Sequence, residues 1–448
     1  MRAYLATSIG VVCTAALVLP LAPAAGAAAP PPTDPLASRS APADDTRAAG
    51  DTRAAGDTQS LPLDVLGNAR AAGSAAVRGL TRRDVRPFSL VGVVWDDAGA
   101  ELHGSVQVRT RAADDGSWST WQDVETHADG ADPGTEGRAD GPVRGATAPL
   151  WVGDSDGVEI RVRAEGRAPL PEGLRLELVD PGEDTTAGGA SDRSLALGAP
   201  EGTVLPALPR RQTEAEYAAE SAGRYAYETD HEREAALPEA ALRARPYIGP
   251  RPRIVTRKGW GANEKLREKK FVYTKKVKAA FVHHSATGNN YSCRQAPSVL
   301  RSIYRYHVVS LGWRDFGYNF AVDKCGNIYE GRAGGVTRAV LGAHTRGFNT
   351  DSMGIAVLGT FGSSNPPAAA TNAVARLTAW KLGLFGANPK GKTTLTSGGG
   401  NRYRKGTKVR LNVISGHRDG FATTCPGARL YKKLGTTRTA SAKYQGRV

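Results

Sequence analysis

The stretch at residues 278–285, KAAFVHHS, is an apolar run that ends in two histidines, and it is typical of a buried β-strand. Further along, APSVLRSIYRYHVVS at 296–310 predicts a helix, and YNFAVDKCGNIYEGR at 318–332 predicts a hairpin. The segment PPAAATNAVARLTAWKLGLFG at 366–386 predicts an amphipathic helix that Pro opens and Gly closes. Because strands and helices alternate, we expect residues 253–436 to form an α/β domain with a mixed central sheet and flanking helices.

The preceding part of the chain has a different pattern. Residues 75–181 contain short, partly alternating apolar runs between clusters of Gly, Asp and Pro, which predict an all-β, sandwich-like domain. The whole chain is therefore expected to be multidomain, with a disordered linker at 30–74, a linker with a partial helix at 182–252 and a tail at 437–448. Four tryptophans of the β-rich domain are either core residues or a platform for stacking sugars: Trp95, Trp118, Trp121 and Trp151.

The first 29 residues predict a secretory signal peptide. Arg2 precedes a short apolar stretch, and small residues that suit cleavage follow it. The apolar stretch is short for an anchor, so we expect no membrane span once the signal is removed, and a protein that is secreted, extracellular or associated with the cell wall. Three cysteines then remain, Cys293, Cys325 and Cys425, of which two would pair in an oxidising compartment while the third needs an explanation.

Charge is unevenly distributed along the chain. The net charge is +15, and the excess of Lys and Arg lies from residue 246 onward, whereas the earlier part is net acidic. A basic region implies an anionic partner. For a secreted protein, the bacterial wall with its peptide carboxylates and anionic polymers fits better than nucleic acid. A charged, solvated surface is the plainer alternative.

Several residues of the C-terminal domain have the chemistry of zinc ligands. A catalytic zinc needs three protein ligands and an open position, and imidazole and thiolate are preferred ligand types. Strand geometry places His283 and His284 on opposite faces, so at most one of them readily reaches a shared metal. The segment 416–427, GHRDGFATTCPG, can fold back and bring His417 near Cys425. From the residues alone the choice stays open among His283, His284, His307, His344, His417, Cys293, Cys325 and Cys425.

Four ordered blocks in this part of the chain resemble the peptidoglycan recognition protein and type-2 amidase family. They are FVHHSAT at 281–287, GWRDFGYNFAVDKCGNIYEGR at 312–332, GAHTRGFNTDSMGIAVLG at 342–359 and GHRDGFATTCPG at 416–427. The β-rich region also resembles an N-terminal module of secreted actinobacterial amidases. The resemblance implies zinc-dependent hydrolysis of the amide bond between N-acetylmuramic acid and L-alanine in bacterial peptidoglycan.

The resemblance also assigns roles to individual residues. It implies that Zn²⁺ is held by His283, His417 and Cys425, with Tyr318 and Thr423 as catalytic residues. Members of the family that only bind peptidoglycan typically lose the cysteine ligand, so its presence here favours an enzyme.

With Cys425 assigned to the metal, the cysteine count is accounted for. Cys293 and Cys325 remain, and we expect them to form one disulfide bond between the start of a helix and a hairpin turn.

A substrate groove for muramyl peptides follows from the same resemblance. Arg332 matches the arginine that grips the side carboxylate of diaminopimelate, and a planar guanidinium suits a carboxylate. We therefore expect peptidoglycan of diaminopimelate type as the partner. The other groove residues are His284, His307, Trp313, His344, Thr345, Asn349 and Arg418.

Other functions are considered beside the amidase. The first is a non-catalytic peptidoglycan-binding protein of the same fold, and the second is an interaction protein whose β-rich domain binds a partner at the wall. A lysozyme-type glycosidase is disfavoured because no pair of catalytic carboxylates stands near these motifs. Nucleic-acid binding would not account for the signal peptide or the metal ligands. The sequence leaves open whether the N-terminal part restrains the enzyme.

Overall fold

The computed structural model describes residues 56–66, 76–126, 130–138, 141–183, 201–229 and 247–447. All of them belong to one compact unit, Thr46–Val448. The signal peptide predicted at 1–29 and most of the linker predicted at 30–74 lie outside the described residues. Within the described ranges, no helix combines the length and the apolarity that a membrane crossing requires.

Residues 56–183, which we call the β region, form one sheet. Its strands β1 to β8 are Asp57–Pro62, Asp64–Val65, Val77–Trp95, Gly104–Ala112, Gln122–Val124, Gly145–Ala146, Leu150–Ala164 and Arg175–Asp180. The order is β1-β8-β3-β7-β4-β5, with β2 and β6 each paired to β3. Alternate residues of β4, such as Val106 and Val108, are buried, so the sheet has a core of its own. The predicted all-β domain is confirmed.

Residues 201–447, which we call the α/β region, contain a second sheet. Strands β9 to β17 are Val204–Leu205, Ile254–Val255, Ala279–His284, Phe320–Val322, Ile328–Glu330, Ser352–Val357, Lys392–Thr396, Lys408–Asn412 and Ile414–Gly416. Seven of them form a mixed sheet in the order β17-β11-β14-β12-β13-β10-β9, while β15 and β16 form a separate hairpin. Strand β11 is parallel to both β14 and β17, and β12 with β13 forms the predicted antiparallel hairpin.

Helices cover both faces of the mixed sheet. In chain order, α1 to α6 are Pro133–Glu136, Arg210–Thr229, Ala296–Arg305, Ala368–Gly383, His417–Gly420 and Ala428–Tyr444. A π-helical turn, Tyr306–Ser310, prolongs α3. Helices α4 and α6 share a core with one face of the sheet, which includes Val282, Leu377 and Leu430. The predicted α/β domain with flanking helices is confirmed.

Helix α3 packs between the two sheets. Its residues Val299 and Ile303 belong to the same core as Leu90 of the β region. At its end, the buried Tyr306 hydroxyl donates a hydrogen bond of 3.1 Å to the carbonyl of Thr147. The β region and the α/β region therefore share a hydrophobic core, although each also has a core of its own.

Three boundaries differ from the predicted ones. Strand β1 lies within the linker predicted at 30–74, because its pairing with β8 uses backbone groups and needs few apolar side chains. Strand β9 lies in the linker predicted at 182–252 and pairs with β10. The tail predicted at 437–448 is helical through most of its length, since α6 continues against α4, where the Thr378 hydroxyl donates to Ser441.

Candidate metal centre and substrate groove

Two parallel strands bring His283 and His417 to the same edge of the sheet. His283 is the penultimate residue of β11, and His417 directly follows the last residue of β17. Val282 lies opposite Gly416 in the parallel pairing, so the carboxyl ends of the strands coincide. The centroids of the His283 and His417 imidazole rings are 4.5 Å apart.

The loop between His417 and Cys425 folds back on itself. The backbone N–H of Arg418 donates to the carbonyl of Cys425 over 3.1 Å. The Arg418 guanidinium donates to the carbonyls of Thr424 and Cys425. Arg418, which the sequence places in the groove, therefore holds the loop that carries Cys425.

The loop and the two strands form a compact cluster of metal-ligating atoms. One atom from each of His283, His417 and Cys425 lies within 4.8 Å of the other two, and all three side chains are buried. Cys425 Sγ is 3.8 Å from His283 Nδ1. Nε2 of His417 is buried and has no hydrogen-bond partner among the described residues. Two imidazoles and one thiolate are a donor set that zinc accepts, and a buried nitrogen without a hydrogen-bond partner is free to serve as a metal ligand.

The electrostatics of the cluster suit metal binding. Burial and the neighbouring His417 hold the pKa of His283 well below its usual value, so the ring is neutral and able to ligate. Burial raises the pKa of the Cys425 thiol, but His284 and His417 outweigh it and lower that pKa to about 7. The thiolate form, which is the ligand, is thus available near neutral pH.

Both residues predicted to be catalytic lie beside the cluster. The ring of Tyr318 is 5.2 Å from that of His283, and burial raises the pKa of its hydroxyl. The Thr423 hydroxyl accepts a hydrogen bond of 3.2 Å from the backbone N–H of Cys425.

An aromatic wall continues from Tyr318. His307 stacks on Trp313 with ring centroids 4.5 Å apart, and its Nδ1 accepts a hydrogen bond from the Gly317 N–H. The π-helical turn that ends α3 carries His307 to this position. His307 and Trp313 both line a cavity that also touches His417 and Cys425.

The opposite side is formed by the loop before β14. The hydroxyl of Thr345 is 3.4 Å from His283 Nε2 and 3.1 Å from His344 Nδ1. The side-chain oxygen of Asn349 accepts from the backbone N–H groups of both His344 and Thr345. His344, Thr345 and Asn349, which are predicted groove residues, are therefore joined in one network beside the cluster of His283, His417 and Cys425.

The remaining predicted groove residues are paired with carboxylates of the β region. Arg332 donates from two nitrogens to Glu136, in a pair whose side chains are 7% and 1% exposed. Nε2 of His284 is 3.0 Å from the Glu125 carboxylate. Burial lowers the pKa of His284, but Cys425 and Glu125 outweigh it and raise that pKa to about 10.

Comparisons with known proteins agree with this geometry. Residues 273–428 match a family model described as N-acetylmuramoyl-L-alanine amidase, and residues 41–187 match one described as Rv3811 N-terminal galactose-binding domain-like. Peptidoglycan-recognition protein SC2 of Drosophila simulans is 32% identical over 185 residues, which are 41% of this chain and 85% of that protein. Protein SC1a of Drosophila melanogaster is 32% identical over 35% of this chain and 70% of its own length. This chain belongs to the peptidoglycan-recognition protein family.

Among solved structures, wild-type PGRP-LB of Drosophila is 27% identical and overlaps 41% of this chain and 92% of its own, with a TM-score of 0.32. Membership of the peptidoglycan-recognition protein family supports peptidoglycan binding or amidase activity for the matched region.

This peptidoglycan-recognition protein has one disulfide bond among the described residues, and acidic residues of its β region reach the groove. The predicted disulfide between Cys293 and Cys325 is formed, with 6.3 Å between the Cα atoms, and Cys425 is the free cysteine among the described residues. The sequence missed three acidic residues that reach the groove from the β region, Glu125, Asp132 and Glu136. No local pattern could have found them, because their partners lie between 159 (His284 for Glu125) and 217 (Asn349 for Asp132) positions further along the chain.

Proposed function

We propose that this protein is a zinc-dependent amidase that cleaves the bond between N-acetylmuramic acid and L-alanine in peptidoglycan. One observation carries the proposal, namely the buried cluster of His283, His417 and Cys425 in a chain that matches the amidase family model. Three protein ligands, of which His417 and Cys425 line a cavity, leave a fourth position for water, as a catalytic zinc requires.

The residues around the cluster suit hydrolysis of an amide. Zinc in such a site supplies a water with a pKa of about 7 and polarises a carbonyl. Tyr318 donates its hydroxyl proton as a hydrogen bond to the attacking water or to the oxygen that gains negative charge. Thr423 adds a second hydroxyl next to Cys425. Thr345 holds the ring of His283, and Arg418 holds the loop of Cys425, so both keep ligands in place.

The proposed substrate is peptidoglycan with diaminopimelate in its stem. Arg332 presents a planar guanidinium in the groove, and it already binds one carboxylate through two nitrogens. Anionic wall polymers would meet the basic surface of the α/β region. We also propose that the protein acts outside the cell, at the wall. Equal cleavage of diaminopimelate-type and lysine-type peptidoglycan would count against the preference.

The second candidate is a protein of this family that binds peptidoglycan without cleaving it. The name of its relatives, peptidoglycan-recognition proteins, favours binding. The intact ligand set favours hydrolysis, because binding alone does not need three converging metal ligands.

Metal removal tests the proposal. We expect about one zinc per chain by elemental mass spectrometry, and release of stem peptides from purified diaminopimelate-type peptidoglycan that stops with a chelator and returns with zinc. His417→Ala and Cys425→Ser should lose zinc and activity, since each removes one of three ligands. His103→Ala is the matched control, because His103 is exposed in the β region. A zinc-loaded protein with an open groove that binds muramyl peptide yet releases none would contradict the proposal.

A further inference from the structure

The groove beside the metal ligands is almost filled. The cavity that touches His417 and Cys425 has a volume of about 30 Å³. That is space for about one water molecule, whereas pockets for small ligands measure roughly 300–1,000 Å³. Part of its lining comes from the β region, including Glu125, Gly130 and Pro149.

A buried ion pair is made by Glu136, at the end of helix α1. Its carboxylate accepts from two nitrogens of Arg332, and it also accepts from the backbone N–H of Arg314 over 3.3 Å. Its side chain is almost completely buried. The next residue, Gly137, forms an antiparallel bridge with Trp313. Glu136 is thus bound as a carboxylate at Arg332, the arginine predicted to bind a substrate carboxylate, with backbone pairing beside it.

Two further residues of the same segment, Asp132 and Gly130, bind the loop before β14. The Asp132 carboxylate accepts from the side-chain amide of Asn349 over 2.8 Å and from the backbone N–H of Gly347 over 2.6 Å. The same amide of Asn349 donates to the carbonyl of Gly130. Gly130 approaches so closely that a Cβ atom there would lie 2.6 Å from the carbonyl oxygen of Ala343.

We propose that residues 130–138 are an intramolecular plug that restrains the enzyme by occupying its own substrate groove. Glu136 takes the place of a substrate carboxylate at Arg332, and Asp132 takes the place of substrate acceptors at Asn349. The inference rests on the proposed function and concerns the regulation of the same site. Substrate binds only when the plug leaves, so a free substrate competes with a segment held nearby at an effective concentration on the order of millimolar.

The test uses the full chain with three single substitutions. Glu136→Gln keeps the shape of the side chain but removes the charge that Arg332 binds. Gly130→Ala acts through sterics, because its new methyl group would clash with Ala343. Gly134→Ala is the matched control, since Gly134 lies in the same plug and a Cβ atom there meets nothing within 4 Å. Thermal melts establish that each variant is folded.

Two measurements distinguish an effect on substrate binding from an effect on hydrolysis. The first is the Kd of a soluble diaminopimelate-containing muramyl tripeptide, measured by calorimetry, and the second is its hydrolysis, measured by mass spectrometry. We expect Glu136→Gln and Gly130→Ala to tighten binding by about tenfold or more, and Gly134→Ala to equal the wild type.

The outcomes are distinct for the two proposals. Tighter binding in both plug variants without release of peptide would support the plug and contradict hydrolysis. Tighter binding with faster release would support both. If the folded plug variants bind the tripeptide no better than wild type and Gly134→Ala do, the plug is overturned whether or not the protein hydrolyses it.

Discussion

His283 and His284 are neighbours in sequence but have different surroundings. His283 Nδ1 is 3.8 Å from the Cys425 sulfur, while His284 Nε2 pairs with Glu125. Strand alternation predicted opposite faces for these two residues but could not say which face carries the metal. The family resemblance selected His283, and the structure places it in the cluster. The partner of His284 could not be predicted, because it comes from another sheet.

Tyr318 offers a test at the scale of one residue. Tyr318→Phe should lower kcat by roughly 10²–10³, the cost of losing one hydrogen bond to developing charge, while zinc content stays the same. Steady-state kinetics with elemental analysis of the same samples measures both quantities.

The matched control for this substitution is Tyr273→Phe. The Tyr273 hydroxyl donates to the Gly334 carbonyl, and Tyr273 is not among the residues that line the cavity at the metal ligands. Full activity of Tyr318→Phe with zinc bound would remove the proposed role of Tyr318.

At the scale of elements, the disulfide joins the beginning of α3 to the β12–β13 hairpin. Cys293 lies in a 3₁₀ turn just before α3, and Cys325 lies in the hairpin turn, 32 positions later. The sequence predicted both elements well, because each has a clear local pattern. It also predicted that the helix runs to Ser310, but it did not predict that the last turn, which carries His307, is π-helical, since that geometry depends on tertiary packing.

Removing this disulfide should lower stability without emptying the metal site. For a closed loop of this length, the loss of chain constraint predicts about 3–4 kcal/mol. The double substitution Cys293→Ser and Cys325→Ser should therefore melt at a lower temperature than the oxidised wild type and retain zinc. The phosphine reductant tris(2-carboxyethyl)phosphine, which unlike a dithiol does not strip zinc, should shift the melting temperature of the wild type but leave that of the double variant unchanged. Equal melting temperatures for the two proteins would count against a structural bridge.

At the scale of the whole molecule, the two regions share the core around α3. Residues of both sheets belong to that core, and Gly92 of β3 approaches Tyr306 so closely that a Cβ atom would lie 2.4 Å from its hydroxyl. The sequence predicted two separate folding domains. Periodicity shows that a face of a helix is apolar, but it does not show what covers that face. For the same reason, the sequence did not predict that residues 130–138 cover the groove.

Gly92→Ala tests the shared core. Overpacking at this contact should cost about 1–3 kcal/mol and lower the melting temperature of both regions together, in one calorimetric transition. Gly141→Ala is the control, because a Cβ atom there meets nothing within 4 Å. Two separate transitions in the wild type, with only one affected by Gly92→Ala, would contradict a common core.

The pairing of Glu136 with Arg332 has a consequence for inhibitor design. A short peptide copied from residues 130–138, and cyclised to keep its helical turn, would present the same carboxylate to Arg332 of a chain from which the plug has been displaced. Such a peptide carries no sugar and no scissile muramyl amide, so an amidase would have nothing in it to cut. The chain thus contains, in its own sequence, a template for a ligand that blocks its own groove without being cleaved.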